Sequence, residues 1–356
     1  PPTPGAGEVL LRTIWLSLDP YMRGRMADGP SYAAPVPVGG VMEGGTVSEV
    51  IASNNPAFAK GDIVLSRAGW QTHVLSDGKG LAKIDSKIAP ISTAVGVLGM
   101  PGMTAYTGLL EIGKPQPGET VVVAGASGAV GSAVGQIAKI KGARAIGIAG
   151  GKDKCAYVKN ELGFDECLDH RDPNLAAKLK EACPKGIDVY FDNVGGDILE
   201  ACLSQMNNRG RIACCGAISQ YDGVPSAHGP RGVPGLIVVK RLVMQGFIVM
   251  DYMDQRDAAL DRIGRAVRQP WPALDLECAA LDRTKSEDRL QNLRAPAADQ
   301  SGKAVDLPLH HRQVDGRQPV VGDIRQRQHR RRIERARCRG RGARSRGCRP
   351  CLDWRG

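Results

Sequence analysis

Residues 121–143, VVVAGASGAVGSAVGQIAKIKGA, restrict the possible folds of this chain more tightly than any other stretch. Val121 to Ala124 are continuously apolar and follow the turn-forming Lys114-Pro115-Gln116-Pro117-Gly118, which predicts a short buried strand. From Ala129 onward, Val130, Val134, Ile137, Ala138 and Ile140 fall at helical spacing until Gly142 ends the run. Gly125, Gly128 and Gly131 stand three apart where the strand hands over to the helix. Glycines at such a junction permit a tight turn, close approach of a diphosphate to the main chain, and close helix–strand packing. The first N–H groups of the helix then face the anion. The pattern is Ala126-x-Gly128-x-x-Gly131, with alanine where a dinucleotide loop usually has its first glycine. Taken alone, it fits small-residue packing as well as a phosphate cradle.

The neighbouring sequence decides between these. Further strands are predicted at 144–149, 166–169, 187–191, 210–215 and 243–249, with helical stretches between them, one ending at Leu162-Gly163 and another over 175–183. Such alternation implies a parallel, doubly wound α/β sheet with its ligand at the carboxyl ends of the strands. The glycine-rich turn sits at the first such end and reads as a dinucleotide site. An NAD site usually carries an acidic residue at the end of the second strand. Here that place holds Gly150-Gly151, then Lys152 and Lys154, with Asp153 between the lysines. Lysine suits a 2′-phosphate, so NADP(H) is favoured; a solvated basic helix start is the alternative.

A length of 356 residues allows two domains with sizeable cores. No apolar run is long enough to span a membrane, and 236–250 is interrupted by Lys240, Arg241 and Gln245. There is no secretory signal, and the ten cysteines are scattered without a disulfide-like framework, which suits a cytoplasmic location. Charge is unevenly placed. Residues 255–356 hold 24 Lys+Arg against 13 Asp+Glu, and 22 of those cations are arginine. They carry the whole net charge of +11. Beyond about Pro296 apolar periodicity fades into an arginine ladder. An RNA- or membrane-binding arm is one reading. The segment lacks interleaved aromatics for base stacking, so a nucleic-acid partner is disfavoured and a disordered tail, translated from an altered frame, is preferred.

Longer motifs then align in order: Asp19-Pro20-Tyr21-Met22-Arg23, Gly99-Met100-Pro101-Gly102-Met103-Thr104-Ala105-Tyr106, the glycine-rich turn, Phe191-Asp192-Asn193-Val194-Gly195-Gly196, and Cys215 to Tyr221. From residue 7 to residue 254 the chain resembles the zinc-independent branch of the medium-chain dehydrogenases/reductases. Within that branch it is similar to the leukotriene B4 12-hydroxydehydrogenase/prostaglandin reductase group and its curcumin-reductase-like relatives. The resemblance implies a GroES-like β-rich catalytic domain over 1–112 and a Rossmann NADP-binding domain over 113–254. Residues 255–295 would be a remnant of the family's C-terminal part and 296–356 the arginine-rich tail. The family's first strand would precede Pro1, and a frameshift near residue 255 would account for the loss of its closing strand.

The implied activity is NADPH-dependent reduction of the carbon–carbon double bond of α,β-unsaturated ketones and aldehydes. Carried over, Gly128, Ala129, Val130 and Gly131 would hold the diphosphate and Lys154 the 2′-phosphate. His170 stands where the family usually has a tyrosine near the adenosine phosphate. Asn193, with Cys215, Gly216, Ala217, Ile218, Ser219, Gln220 and Tyr221, would line the ribose and nicotinamide, flanked by Phe247, Ile248 and Val249. Asn193 could equally cap a helix, and Phe247 could be core. Tyr32 would lie by the substrate and Tyr221 would help bind the developing oxyanion. No metal is expected, because residues 1–150 contain no cysteine and one histidine, His73. A homodimer is a candidate assembly. Two alternatives stay open: a quinone reductase on the same scaffold, and a nucleotide-binding protein without catalysis.

Overall fold

In the computed structural model, residues 1–28, 31–221, 230 and 232–267 are described. The arginine-rich segment and the 268–295 stretch therefore lie outside the described residues, and the expectations for them stay as stated.

The amino-terminal part builds an antiparallel sheet. Its strands are β1 (Val9–Leu16), β2 (Thr46–Ser53), β3 (Ile63–Ser66), β4 (His73–Ser76) and β5 (Ala82–Lys83), in the order β4-β1-β2-β3-β5. Val9, Leu11, Val50 and Val64 form its apolar core, with Phe58, Val74 and Leu81 packed alongside. The register pairs Val9 with Ser53 and Leu16 with Thr46, with irregularities after Leu10 and Thr13. A 3-10 helix over Pro20–Met26 follows β1 and carries the buried side chains of Met22 and Arg25.

Helix α1 (Met100–Thr107) leads into the second sheet, which is parallel throughout. Its elements alternate as β6 (Thr120–Ala124), α2 (Ala129–Ile140), β7 (Arg144–Ala149), α3 (Lys152–Asn160), β8 (Glu166–Asp169), α4 (Leu175–Ala182), β9 (Ile187–Asp192), α5 (Gly196–Gln205), β10 (Met206–Cys214), α6 (Val233–Lys240) and β11 (Val243–Gly246). The strand order is β11-β10-β9-β6-β7-β8. The continuous apolarity of β6 now has its cause: Val121 and Val123 face one buried layer, Val122 and Ala124 the other. A strand with both faces covered has no polar side to show. One layer joins Val134, Ile137 and Ala138 of α2 to Leu109 and Phe191; the other joins Leu179 of α4 and Leu203 of α5 to Ile146, Ile148 and Tyr190.

Two expectations are adjusted. The fifth strand begins at Met206 rather than at 210. The sixth stops at Gly246, where it pairs with Cys214, the last residue of β10. Phe247 to Val249 have no neighbouring strand left and leave the sheet, and Val249 opens a 3-10 helix. The described chain ends in α7 (Arg256–Val267), anchored by Arg262, whose Nη1 donates to Tyr106 Oη on α1 at 2.6 Å. Arg211 on β10 clamps the entry to β6 with a forked pair to Glu119 (3.0 and 2.5 Å) and bonds to the carbonyls of Gly113 (2.9 Å) and Lys114 (3.1 Å). Among the described residues no helix is long and apolar enough to cross a membrane.

Candidate active site

Every expected cofactor residue follows the carboxyl end of a parallel strand. At the end of β6 the chain turns through Gly125 (φ +66°), and Gly128 caps α2 in extended conformation. Gly128 N donates to Gly125 O at 3.0 Å, and Gly128 O accepts from Ser132 N at 2.9 Å. Gly131 is fixed by sterics, because a Cβ there would stand 2.2 Å from Gly125 O and 2.9 Å from Ala126 Cα. The turn and the helix therefore touch backbone to backbone. The start of α2 is a cradle of main-chain N–H groups, which fits an anionic diphosphate.

At the next strand end, Gly151 (φ +94°) caps α3, which bears Lys152 and Lys154 exposed on its first turn. Asp169 Oδ1 accepts from Gly151 N at 2.9 Å and from Arg171 N at 3.0 Å, tying the ends of β7 and β8 together. His170 overlies this turn: a Cβ on Gly150 would lie 2.8 Å from its Nε2 and 3.5 Å from Arg171 Nη2. A Cβ on Gly151 would lie 3.4 Å from Arg171 Nη1. Arg171 thus joins His170 beside the turn that starts the lysine-bearing helix. Arg171 was not expected from the sequence, where nothing separates it from a solvated surface arginine.

The sheet order reverses between β6 and β9, where a crevice is expected. Asn193 stands there, donating Nδ2 to the carbonyl of Ala124 at 2.7 Å. It spans the switch point between strands rather than capping α5. Asp192, buried just before it, receives Val194 N (2.9 Å), Gly195 N (2.8 Å) and the Tyr190 hydroxyl (2.9 Å) on Oδ1. Burial raises the Asp192 pKa, and those three donors only partly oppose it. Its carbonyl accepts from Cys215 N and Gly216 N at 2.8 and 3.1 Å. Ile218 N and Ser219 N continue the contact to Asn193 O and Val194 O. The segments 192–195 and 215–221 are thereby zipped into one wall. Asp192 organises it, and it was read in the sequence only as part of a motif.

Tyr221 ends this wall, half-buried. A Cβ on Gly216 would sit 3.0 Å from its phenol oxygen, so glycine leaves the ring its place. Burial raises its pKa, opposed by a hydrogen bond from Ala217 N–H; the Cys215 thiol and the Tyr32 phenol push it further up. It is therefore protonated at neutral pH. Tyr32 is 62% exposed, with the Arg25 guanidinium 4.6 Å from its ring centroid. Phe247 is turned into the core, edge-to-face with Phe191 at 6.2 Å and closing over Gly108. Its backbone nitrogen donates to Cys214 O at 3.4 Å, while Ile248 and Val249 continue past the sheet edge.

Known proteins resemble this chain in sequence and in fold. The family model described as N-terminal domain of oxidoreductase matches residues 1–84, and that described as zinc-binding dehydrogenase matches 129–265. The second name raises a metal, but among the described residues no three His, Cys, Asp or Glu side chains converge as ligands, so the site described does not fit one. The NADPH-dependent curcumin reductase of Escherichia coli (strain K12) is 53% identical over 254 residues, 70% of this chain and 74% of that one. Prostaglandin reductase 1 of Mus musculus is 47% identical over 248 residues, 68% of this chain and 72% of its own. The crystal structure of CurA in complex with NADPH from Vibrio vulnificus superposes with a TM-score of 0.70 at 49% identity, covering 73% of this chain and 79% of that one. With a GroES-like antiparallel sheet, a Rossmann sheet and identities near one half, the chain belongs to the medium-chain dehydrogenase/reductase superfamily, in the prostaglandin reductase and curcumin reductase group.

Proposed function

We infer that this protein is an NADPH-dependent reductase of α,β-unsaturated carbonyl compounds. The observation that carries the reading is the wall zipped between 192–195 and 215–221, with a protonated phenol at its end, beside the diphosphate cradle of α2. Bound NADPH supplies the hydride that reaches the β-carbon of the enone.

The chain's own residues orient and stabilise. The N–H groups at Gly128 to Gly131 receive the diphosphate, while Lys154, His170 and Arg171 receive the adenosine 2′-phosphate. Residues 215–221, Asn193 and the backbone at 247–249 line the nicotinamide end. As the double bond is reduced, negative charge gathers on the substrate's carbonyl oxygen. Tyr221 donates its O–H there. Tyr32, exposed beside the Arg25 guanidinium, would border the substrate. Nothing in this arrangement requires a side chain to form a covalent bond, so catalysis rests on placement and on charge stabilisation.

The decisive experiment is NADPH oxidation with 3-nonen-2-one, for the wild type and for Tyr221→Phe. One oxyanion donor is worth about 10²–10³ in kcat where it acts alone, and a shared one less. A loss of ten-fold or more in kcat with unchanged NADPH affinity is expected, whereas unaltered kcat would remove Tyr221 from the chemistry. Side-by-side turnover of quinones separates the quinone-reductase reading. Retained NADPH binding without turnover of either class would favour the non-catalytic one.

Two features support the wider setting. The six cysteines among the described residues are all free, in keeping with a reducing cytoplasm. Among the described residues strand β11 is a sheet edge; its Val243 is 51% exposed, and Val238 and Val239 of α6 are 73 and 68% exposed. An open apolar edge of this kind suits a second copy of the chain. Light scattering in solution tests that assembly.

A further inference from the structure

Arg25 is an anomaly in the antiparallel part. Arginine is almost never fully buried without a partner, yet this side chain is 4% exposed. Its Nε donates to Glu43 Oε1 at 2.6 Å. Its Nη1 donates to Ser31 Oγ at 3.1 Å and to Ala33 O at 3.4 Å. Its guanidinium lies against two aromatic rings, 5.5 Å from the centroid of Tyr21 and 4.6 Å from that of Tyr32. Its own carbonyl accepts from Val36 N at 2.8 Å. One residue therefore holds the 31–36 segment through a hydroxyl, a carbonyl, a ring and a main-chain N–H.

We propose that Arg25 is a positioning residue for substrate binding: clamped by Glu43, it presents Tyr32 to the unsaturated carbonyl compound. The proposal rests on the reading above, in which Tyr32 and Tyr221 face the substrate. Physically, Tyr32 stands in a loop and is largely exposed, so packing alone would leave its ring free to rotate. A planar cation fixes the plane of the ring, and the forked bonds to Ser31 and Ala33 fix its backbone. Glu43 neutralises the buried charge that this arrangement needs. Lysine would keep the charge but lose both the plane and the fork.

The test is steady-state kinetics with 3-nonen-2-one for Arg25→Met, Arg25→Lys, Tyr32→Ala and the Arg25→Met/Tyr32→Ala double variant. NADPH binding, followed by its fluorescence, checks that each variant is folded. Each of the two Arg25 variants is expected to raise KM for the enone roughly 3- to 10-fold, more than it lowers kcat, with NADPH affinity unchanged. Because Arg25 acts through Tyr32, the double variant should be no worse than the worse single one. Three results would overturn the proposal. Multiplying effects in the double variant would mean independent roles. A raised KM in Tyr32→Ala with both Arg25 variants silent would refute the clamp while leaving Tyr32 at the substrate. A silent Tyr32→Ala would remove Tyr32 from the substrate site, and the clamp's purpose with it.

Discussion

Replacing Gly131 by alanine should do two opposing things, and the structure says which wins. Position 131 is the third residue of α2, where alanine gains about 1 kcal/mol of helix propensity over glycine. The new Cβ, however, would lie 2.2 Å from Gly125 O and 2.9 Å from Ala126 Cα. Both are backbone atoms of a turn locked by the Gly128 N to Gly125 O bond at 3.0 Å and by the Ala126 N to Ile148 O bond at 3.0 Å. No rotamer change relieves the overlap, so α2 must move away from the turn by about 1 Å. Overpacking of this kind costs about 1–3 kcal/mol, and a clash with main chain belongs at the upper end. The net destabilisation is then about 2 kcal/mol, or about 4–8 °C in Tm for a body of this size. The same movement withdraws the helix N–H groups from the diphosphate. Losing one hydrogen bond to a charged group costs about 1.5–3 kcal/mol, so the NADPH Kd should rise roughly 10- to 100-fold. Gly128→Ala is the internal control, because its Cβ would meet only Gly125 O at 3.3 Å, and its effect should be several-fold smaller. Calorimetric melting and fluorescence titration with NADPH measure both quantities. Gly131→Ala with a Tm within 1 °C of wild type and an NADPH Kd within about twofold would refute the cradle argument.

Other outcomes follow from named contacts. Lys154→Glu should weaken NADPH by at least ten-fold while leaving NADH almost unchanged, since a charge-assisted bond to phosphate is worth about 1.5–3 kcal/mol; equal loss for both cofactors would make Lys154 a surface charge. Adding a chelator to the enone assay should leave the rate unaltered, and sensitivity to it would reinstate a metal. For Glu119, burial alone would raise the pKa, but the Arg211 pair and the Gln116 N–H outweigh it and hold it below its ordinary value. Its contribution is therefore complete above the unfolded carboxylate pKa and is lost as pH falls through the lower folded one. Arg211→Met should cost about 1.5–3 kcal/mol at pH 7, and the gap to wild type in denaturant melts should narrow below about pH 4. A gap independent of pH would assign the loss to the Gly113 and Lys114 carbonyl bonds instead.

The sequence alone determined the parallel sheet, because its signals are local. Strand β7 over 144–149 and strand β8 over 166–169 stand where apolar runs and flanking glycines put them. The cradle at Gly125 to Gly131 was legible for the same reason: positive φ and close approach select glycine whatever the rest of the chain does. The cofactor class followed from what is missing after β7, an acid, and from what is present, Lys154.

Only the tertiary structure decided how the strand ends are joined into a site. Asn193 looked equally able to cap a helix, and its bond to Ala124 O crosses 69 positions that no periodicity links. Phe247 faces Phe191 and Gly108 because β11 ends with its partner strand at Gly246, a fact of pairing that the apolar run through 249 concealed. Arg171 and Arg25 carry no sequence mark that separates them from solvated arginines. A cation's role is set by the carboxylates, rings and turns brought to it from elsewhere, and that proximity exists only once the chain has folded.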